Sequence, residues 1–160
     1  MRRYPNKNLS FEVADVELLE LPENSFDIIC MSGSLSYVDV NVVLGKIRKW
    51  LKPEGSFICV DTYWYNPFFN AKRWFNYLFG KRTKQTLLGI PKKDTIERIR
   101  CCFRETEVNF FGIFAFIGPF LKPLIGDNKT AKLVNFLDRK FSFAKRYAFK
   151  FVLEGKKPKH

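Results

Sequence analysis

The sequence has few of the residues from which catalytic and metal-binding sites are most often built. Its single histidine, His160, is the last of the 160 residues, which leaves almost no place for a histidine base. Its four cysteines form no Cys-x-x-Cys pair, so we assign no metal ligands and no redox pair. Its nine glycines are never two residues apart. The chain therefore has no Gly-x-Gly turn, which would let a backbone approach a ligand closely.

Long apolar runs are also missing. The first twenty residues lack the continuous apolar segment of a signal peptide, and no stretch reaches the length of a transmembrane helix. Cys30 and Cys59 fall in short apolar runs, which indicates small core side chains with reduced thiols. We therefore expect a cytoplasmic protein in which residues 1–160 form one domain, with a basic and disordered tail at 155–160.

Charge is distributed unevenly along the chain. Residues 1–60 contain 7 Lys and Arg against 8 Asp and Glu, whereas residues 61–160 contain 21 against 8. A strongly basic half attracts anions such as phosphorylated substrates, nucleic acid or an acidic membrane face. A solvated, lysine-rich surface explains the same composition equally well.

The pattern of residues 28–60 predicts a strand, a helix and a second strand. Residues 28–31 and 56–60 are apolar runs of the kind buried in parallel sheets, and residues 40–51 have apolar side chains at helical spacing. Two strands joined by a helix form a right-handed parallel unit, and ligands bind beyond the carboxyl ends of such strands. Further along, the spacing predicts helices over 71–79, 92–102 and 130–143, and strands over 105–112 and 147–153.

Three short motifs occur around this unit in a fixed order. They are Asp-Val-Glu at 15–17, Leu-Pro-Glu-Asn-Ser-Phe-Asp at 21–27 and Leu-Lys-Pro-Glu-Gly at 51–55. Together they resemble the class I S-adenosylmethionine-dependent methyltransferases, and the type-11 methyltransferase domain most closely. Glu20 and Glu54 depart from the family's usual proline and glycine. The resemblance implies a Rossmann-like α/β fold, here a partial sheet of strands three to seven with an antiparallel last strand. It also implies that strands four, five, seven and six are contiguous.

The resemblance covers residues 9–63 and enters the family pattern at strand three, a short alternating run at 11–14. The family's glycine-rich turn after strand one and its acidic residue after strand two have no counterpart in the chain. We interpret the chain as a fragment rather than a degenerate relative, because the motifs that it retains are intact. A strand at 11–14 would lack its neighbours in the sheet, so we expect it to be poorly supported.

The resemblance implies S-adenosylmethionine as the cofactor and suggests which residues would hold it. Asp15 matches the acidic residue that bonds the adenine amino group, and Val16 matches the residue whose backbone meets the ring edge. Met31, Ser32 and Gly33 resemble the segment that lines the methionine and methyl end. Asp15 also fits a simple turn-forming aspartate.

The acceptor side is less defined, and no catalytic residue can be named. Tyr37 and Tyr63 follow the predicted strands closely enough to wall a substrate pocket. Lys81 and Arg82 lie in a basic loop that suits an anionic group such as phosphate or carboxylate. We expect Asp61 to end its strand by bonding backbone amides.

Residues 110–125 are unusually rich in phenylalanine and contain two prolines. We interpret them as an apolar lid packed on the core. The open alternatives are a segment that dips into a membrane interface or one that covers a lipid-like substrate.

Two functions from different classes remain open at the level of the sequence. The resemblance implies a methyltransferase acting on a small-molecule, sugar or lipid-like acceptor, with activity of this chain alone in doubt because the glycine-rich motif is absent. The alternative is a non-catalytic basic module that binds RNA or acidic membrane surfaces. Nucleic acid is the weaker partner, because the aromatic residues are not interleaved with arginine as stacking platforms.

Overall fold

A computed structural model describes residues 8–159 of the chain. The four strands of this part are β1 (Phe26–Ser32), β2 (Leu51–Thr62), β3 (Phe103–Phe111) and β4 (Lys150–Pro158). Its α-helices are α1 (Val40–Trp50), α2 (Pro67–Leu78), α3 (Lys84–Leu88), α4 (Lys93–Cys101), α5 (Gly118–Ile125) and α6 (Asp127–Lys140). Short 3₁₀ helices occur at Leu35–Tyr37, Ala115–Ile117 and Ser142–Tyr147.

The strands form one mixed sheet in the order β1-β2-β4-β3. β1 and β2 are parallel, with Ile29 opposite Phe57 and Met31 opposite Cys59. β4 runs antiparallel to both β2 and β3. The predicted α/β class, the contiguous order of strands four, five, seven and six, and the antiparallel last strand are therefore confirmed.

The core lies on one face of this sheet. Alternate residues of β2 and β4 point into it, and α1 and α4 cover them with aliphatic side chains. α1 begins after Asp39, whose carboxylate accepts hydrogen bonds from the backbone N–H groups of Asn41 and Val42, an arrangement typical of a helix N-cap. The fully buried side chains of this core include Leu35, Val43, Leu51, Phe57, Ile99, Phe103, Phe151 and Leu153.

The first expected strand does not form. Residues 9–15 have no strand structure, and Phe11 is 89% exposed. The sheet thus starts at the family's strand four, and the prediction of strands three to seven is wrong by one strand. The physical reason is the one expected from the sequence: a strand at 11–14 has no neighbour with which to pair. β1 is consequently an edge strand, and Ile28 on it is 59% exposed.

The end of the chain also differs from expectation. β4 continues to Pro158, so the prediction of a disordered tail is wrong for residues 155–158. This extension pairs with β3, with Lys156 opposite Glu105 and Pro158 opposite Phe103. Residue 160 lies outside the described residues.

Only the first part of the phenylalanine-rich segment packs on the core as the predicted lid would: Phe110 packs against the core residues, and Ile113 is 6% exposed. The rest of the segment forms a 3₁₀ turn and α5, and no residue of α5 is buried. Phe120 and Leu124 are 75% and 78% exposed, while α5 packs against α6. None of the helices within residues 8–159 combines the length and the apolar character needed to cross a membrane.

A buried carboxylate fastens the loop after β1 to the end of β2. One oxygen of Asp61, Oδ2, accepts a hydrogen bond of 2.9 Å from the backbone N–H of Leu35. The other, Oδ1, accepts one of 2.6 Å from the backbone N–H of Thr62. Gly33 adds a backbone bond of 2.9 Å to the carbonyl oxygen of Val60. The expectation that Asp61 ends its strand by bonding backbone amides is confirmed.

Replacing Asp61 by alanine should lower the free energy of unfolding by about 1–3 kcal/mol, because the buried N–H of Leu35 loses its acceptor. Asp27→Ala is a matched control, since Asp27 is exposed and only pairs with Lys52 at the surface. That change should cost less than about 1 kcal/mol. Urea unfolding of both variants measures the difference, and equal losses would contradict the role given to Asp61.

Substitution of Gly155 by alanine should cost about 1–3 kcal/mol of stability, since overpacking of a filled core is destabilising. A Cβ at this position would come within 2.7 Å of the ring of Phe103, which is itself buried. Gly45→Ala is the control: Gly45 lies inside α1 with open space around its Cα, so alanine there should stabilise by about 1 kcal/mol. Chemical denaturation should show a lower free energy of unfolding for Gly155→Ala and a higher one for Gly45→Ala. A Gly155→Ala variant as stable as the unchanged protein would contradict the packing described for β3 and β4.

Candidate functional site

The loop that leaves β1 separates two clefts at the carboxyl ends of the parallel strands. Gly33 has a positive φ of 68° and nothing within 4 Å of the place where a Cβ would stand. Its backbone is therefore open to an approaching ligand. The bonds from Gly33 to Val60 and from Leu35 to Asp61 hold this loop against the end of β2.

The first cleft, called here the cationic cavity, has a volume of about 310 Å³. It lies between the loop after β1, the end of β2, helix α2 and the loop before α3. Three of its lining side chains are cations and one is a carboxylate. Its lining residues are Gly33, Ser36, Tyr37, Asp61, Thr62, Phe69, Lys72, Arg73, Asn76, Arg82 and Phe149.

Arg73 is the unusual member of this cavity, because its side chain is charged and yet only 6% of the residue is exposed. Its Nη1 donates to the carbonyl oxygen of Tyr63 at 3.1 Å and to Oδ1 of Asn70 at 2.7 Å. Its guanidinium carbon lies 5.7 Å from the ring centre of Phe149. Within the described part of the chain, its Nη2 is buried without a hydrogen-bond partner.

The charges around Arg73 are only partly balanced. The pKa of its guanidinium is lowered to about 10, chiefly by burial and then by the positive charge of Arg82, while Asp61 acts in the opposite direction. Arg73 therefore stays cationic at neutral pH. Arg82 donates from Nη2 to the carbonyl oxygen of Thr86 at 3.2 Å. Its Nε is also buried with no partner among residues 8–159.

The second cleft, called here the apolar cleft, lies beside the free edge of β1 and also has a volume of about 310 Å³. Its walls come from β1, α1 and the turn at Val16, and its polar groups include the hydroxyls of Ser32 and Ser34. A flat, largely apolar ring system fits such walls. The lining residues are Val16, Ile29, Cys30, Met31, Ser32, Ser34, Val43, Ile47 and Trp50.

Most of the candidate cofactor residues come together in these two clefts. Val16, Met31 and Ser32 line the apolar cleft, and Gly33 lines the cationic cavity next to it. Asp15 does not line either cleft. Its Oδ1 accepts a hydrogen bond of 2.9 Å from the backbone N–H of Glu17, as a turn-forming aspartate does. Its role towards a cofactor stays a prediction.

The candidate acceptor residues divide between the cavity and other places. Tyr37 and Arg82 line the cationic cavity, but Lys81 does not. Tyr63 is a core residue instead of a pocket wall: it is buried against Tyr65, Phe110 and Phe151, and burial raises the pKa of its hydroxyl.

Sequence reasoning missed Arg73, Lys72 and Asn76 as cavity residues. The helical spacing of residues 71–79 places the apolar side chains on one face and the polar ones elsewhere. In the structure Arg73 is the buried residue of α2, while Phe75 and Leu78 are largely exposed. No signal in the sequence marks this inversion, because it depends on acceptors supplied by Tyr63 and Asn70 and on the ring of Phe149.

Comparison with known protein families and curated proteins gives a match to one end of the chain. The family model described as a methyltransferase domain matches residues 1–59. The ubiquinone/menaquinone biosynthesis C-methyltransferase UbiE of Rickettsia bellii is 41% identical over 56 residues, which are 34% of this chain and 23% of that protein. The phosphoethanolamine N-methyltransferase of Plasmodium falciparum is 34% identical over 59 residues, or 35% of this chain and 22% of that protein. The aligned segment thus spans less than a quarter of either relative.

Similarity to solved structures extends over nearly the whole chain. Phosphoethanolamine N-methyltransferase 2 of Haemonchus contortus, in complex with S-adenosyl-L-methionine, gives a TM-score of 0.57 at 17% identity, covering 91% of this chain and 36% of that one. The methyltransferase complex with the Trm112 activator of Haloferax volcanii gives a TM-score of 0.56 at 16% identity, covering 98% and 65%. Residues 1–59 therefore match the family model of a methyltransferase domain, and the chain shares the Rossmann-like α/β fold of these solved structures.

Proposed function

We propose that this chain is part of an S-adenosylmethionine-dependent methyltransferase for a small-molecule acceptor. The donor would lie on the side of the apolar cleft, and the acceptor would occupy the cationic cavity. The observation that carries the proposal is the position of residues 31–34. Met31, Ser32 and Ser34 line the apolar cleft, whereas Gly33 lines the cationic cavity. Donor and acceptor sites must meet at one point for a methyl group to pass, and this segment is where the two clefts adjoin.

Methyl transfer depends mainly on how the protein positions the donor and the acceptor. S-adenosylmethionine supplies a methyl group that is already activated on a sulfonium sulfur. The chain then has to hold the acceptor in line and keep water away. The open backbone at Gly33 allows a close approach, and the bond from Leu35 to Asp61 keeps that backbone in place. The side chain of Tyr37 would wall the acceptor on the outer side of the cavity.

On the donor side the fit is partial. Val16, Met31 and the hydroxyl of Ser32 would contact the cofactor in the apolar cleft, and Asp15 would reach the adenine amino group with the carboxylate oxygen that Glu17 does not occupy. The chain offers no Gly-x-Gly turn for the methionine moiety. The residues present therefore suit one end of the cofactor, in keeping with a chain that supplies part of a donor site.

The relatives support a small acceptor without deciding its identity. The name of the Rickettsia bellii protein refers to quinone biosynthesis, and that of the Plasmodium falciparum protein to phosphoethanolamine. The neighbour from Haemonchus contortus is also known in complex with phosphomonomethylethanolamine and S-adenosylhomocysteine. We place the acceptor of this chain among such small molecules, with a lipid-like one included.

One observation favours a second candidate, a peripheral membrane contact. Phe120 and Leu124 on α5 are exposed next to Lys122, and the 61–160 half of the chain is strongly basic. Apolar side chains flanked by lysine suit an acidic membrane interface. Co-sedimentation with anionic vesicles that is lost in a Phe120→Ser, Leu124→Ser variant would support this role, and unchanged sedimentation would oppose it.

Residues 1–160 alone should bind S-adenosylmethionine weakly, with a Kd above about 1 mM. The contacts at Asp15, Val16 and the end of β1 contribute about 0.5–1.5 kcal/mol each, and ordering the ligand costs more than a few of them return. Asp15→Ala should accordingly change little in this chain. Calorimetric titration measures both values, and low-micromolar binding would contradict the fragment interpretation.

A chimera is the matched positive control. It joins the part of the Rickettsia bellii methyltransferase that precedes the aligned segment to residues 9–160 of this chain. We expect the chimera to bind S-adenosylmethionine with a micromolar Kd. Asp15→Ala should weaken this binding about tenfold, because one charged hydrogen bond is lost. A folded chimera that does not bind S-adenosylmethionine would contradict the proposed function.

A further inference from the structure

We propose that the cationic cavity is a binding site for a phosphate monoester group, held by Arg73, Arg82 and Lys72. The inference deepens the proposed function, because it names the chemical class of the acceptor for the same cavity. It rests on the burial, geometry and charge of Lys72 and Arg73, which sequence patterns did not single out, and of Arg82, which they did.

The burial of Arg73 is the first observation that favours a bound anion. Taking a guanidinium out of water is unfavourable unless an anion or hydrogen-bond acceptors compensate for it. Arg73 finds two acceptors, both on Nη1, and its buried Nη2 has no partner within residues 8–159. Since Arg73 lines the cavity, an anion bound there would lie beside a guanidinium whose charge and hydrogen bonding are not fully compensated within the protein.

A second guanidinium, that of Arg82, lines the same cavity. Its Nε is also buried and unbonded among the described residues, and its charge disfavours the charged form of Arg73. Two like charges held together are unfavourable until a counter-ion lies between them. Arginine donors match the oxygens of phosphate in a planar, two-pronged geometry, so a pair of arginines suits a tetrahedral oxyanion.

The protein itself does not supply the counter-ion. Within residues 8–159, none of the ion pairs shorter than 4.0 Å involves Lys72, Arg73 or Arg82. Asp61 is the one carboxylate among the lining residues, and both of its oxygens already accept backbone N–H groups. Asp61 therefore offsets the field of the cations without pairing with one of them.

Net charge decides the class of anion. Three cations and one carboxylate line the cavity, which leaves two positive charges in excess. A phosphate monoester carries close to two negative charges at neutral pH, whereas a carboxylate carries one. The volume of about 310 Å³ holds a small phosphorylated molecule or one phosphorylated headgroup. The hydroxyl of Tyr37 and the amide of Asn76 offer further donors on its walls.

The test uses residues 1–160 and needs no methyl donor, so its result is independent of the titration with S-adenosylmethionine. Binding of glycerol 3-phosphate and of inorganic phosphate is measured by calorimetry, with chloride at the same ionic strength as the reference. We expect saturable binding of both phosphates, and a melting temperature that rises with phosphate but not with chloride. No preference for phosphate over chloride would overturn the proposal.

The variants are chosen to spare the fold. Arg82→Gln and Lys72→Gln each remove one cation from partly or fully exposed positions and should weaken phosphate binding about tenfold, the effect of one charged hydrogen bond. Lys84→Gln is the matched control, because Lys84 is exposed in the same basic segment and does not line the cavity. It should change the Kd less than twofold. An equal loss of phosphate affinity in all three variants would overturn the proposal, because it would indicate non-specific attraction of phosphate to the basic surface.

Binding to lipid vesicles distinguishes a phosphate group carried by a lipid headgroup from one carried by a soluble molecule. Vesicles of phosphatidylcholine with and without phosphatidic acid are compared in co-sedimentation. Binding to phosphatidic acid that Arg82→Gln abolishes would support the site and assign the phosphate to a lipid headgroup. Binding to these vesicles that Arg82→Gln leaves unchanged, together with no binding of glycerol 3-phosphate, would overturn it.

Discussion

The buried carboxylate of Asp61 is the contact on which the arrangement of the candidate site depends. It accepts backbone N–H groups from Leu35 and Thr62, so it joins the end of β2 to the loop that follows β1. That loop borders both clefts. Among the residues that the structure describes, Asp61 forms no ion pair with the nearby cations. One residue thereby shapes the site and offsets only part of its positive charge.

The burial of Arg73 is the second organising feature, and it inverts the pattern of helix α2. An amphipathic helix ordinarily buries its apolar face, yet here a guanidinium is buried while Trp74, Phe75 and Leu78 remain substantially exposed. Two hydrogen bonds and the ring of Phe149 offset part of the desolvation cost.

Much of the fold could be predicted from the sequence, because its signals are local. Apolar runs of strand length and the helical spacing of 40–51 depend on neighbours a few residues away, and β1, α1 and β2 formed as expected. Two of the errors arose where the outcome depends on a distant partner. Residues 11–14 alternate as a strand does but have nothing to pair with. Residues 155–158 look like a charged tail, yet they pair with β3.

The candidate site divides in the same way. The sequence by itself grouped Val16, Met31 and Ser32 in one site through the resemblance, and these residues line one cleft. That this cleft holds the cofactor stays a prediction. For the cationic cavity the sequence named Tyr37 and Arg82, but only the tertiary structure decided that Lys72, Arg73 and Asn76 line it as well. There Arg73 and Arg82 are brought to Asp61 from separate elements, while Tyr63 is drawn into the core. Hydrogen-bond acceptors and aromatic rings from other parts of the chain fix the positions of these side chains. The periodicity of the segment around each side chain therefore does not predict them.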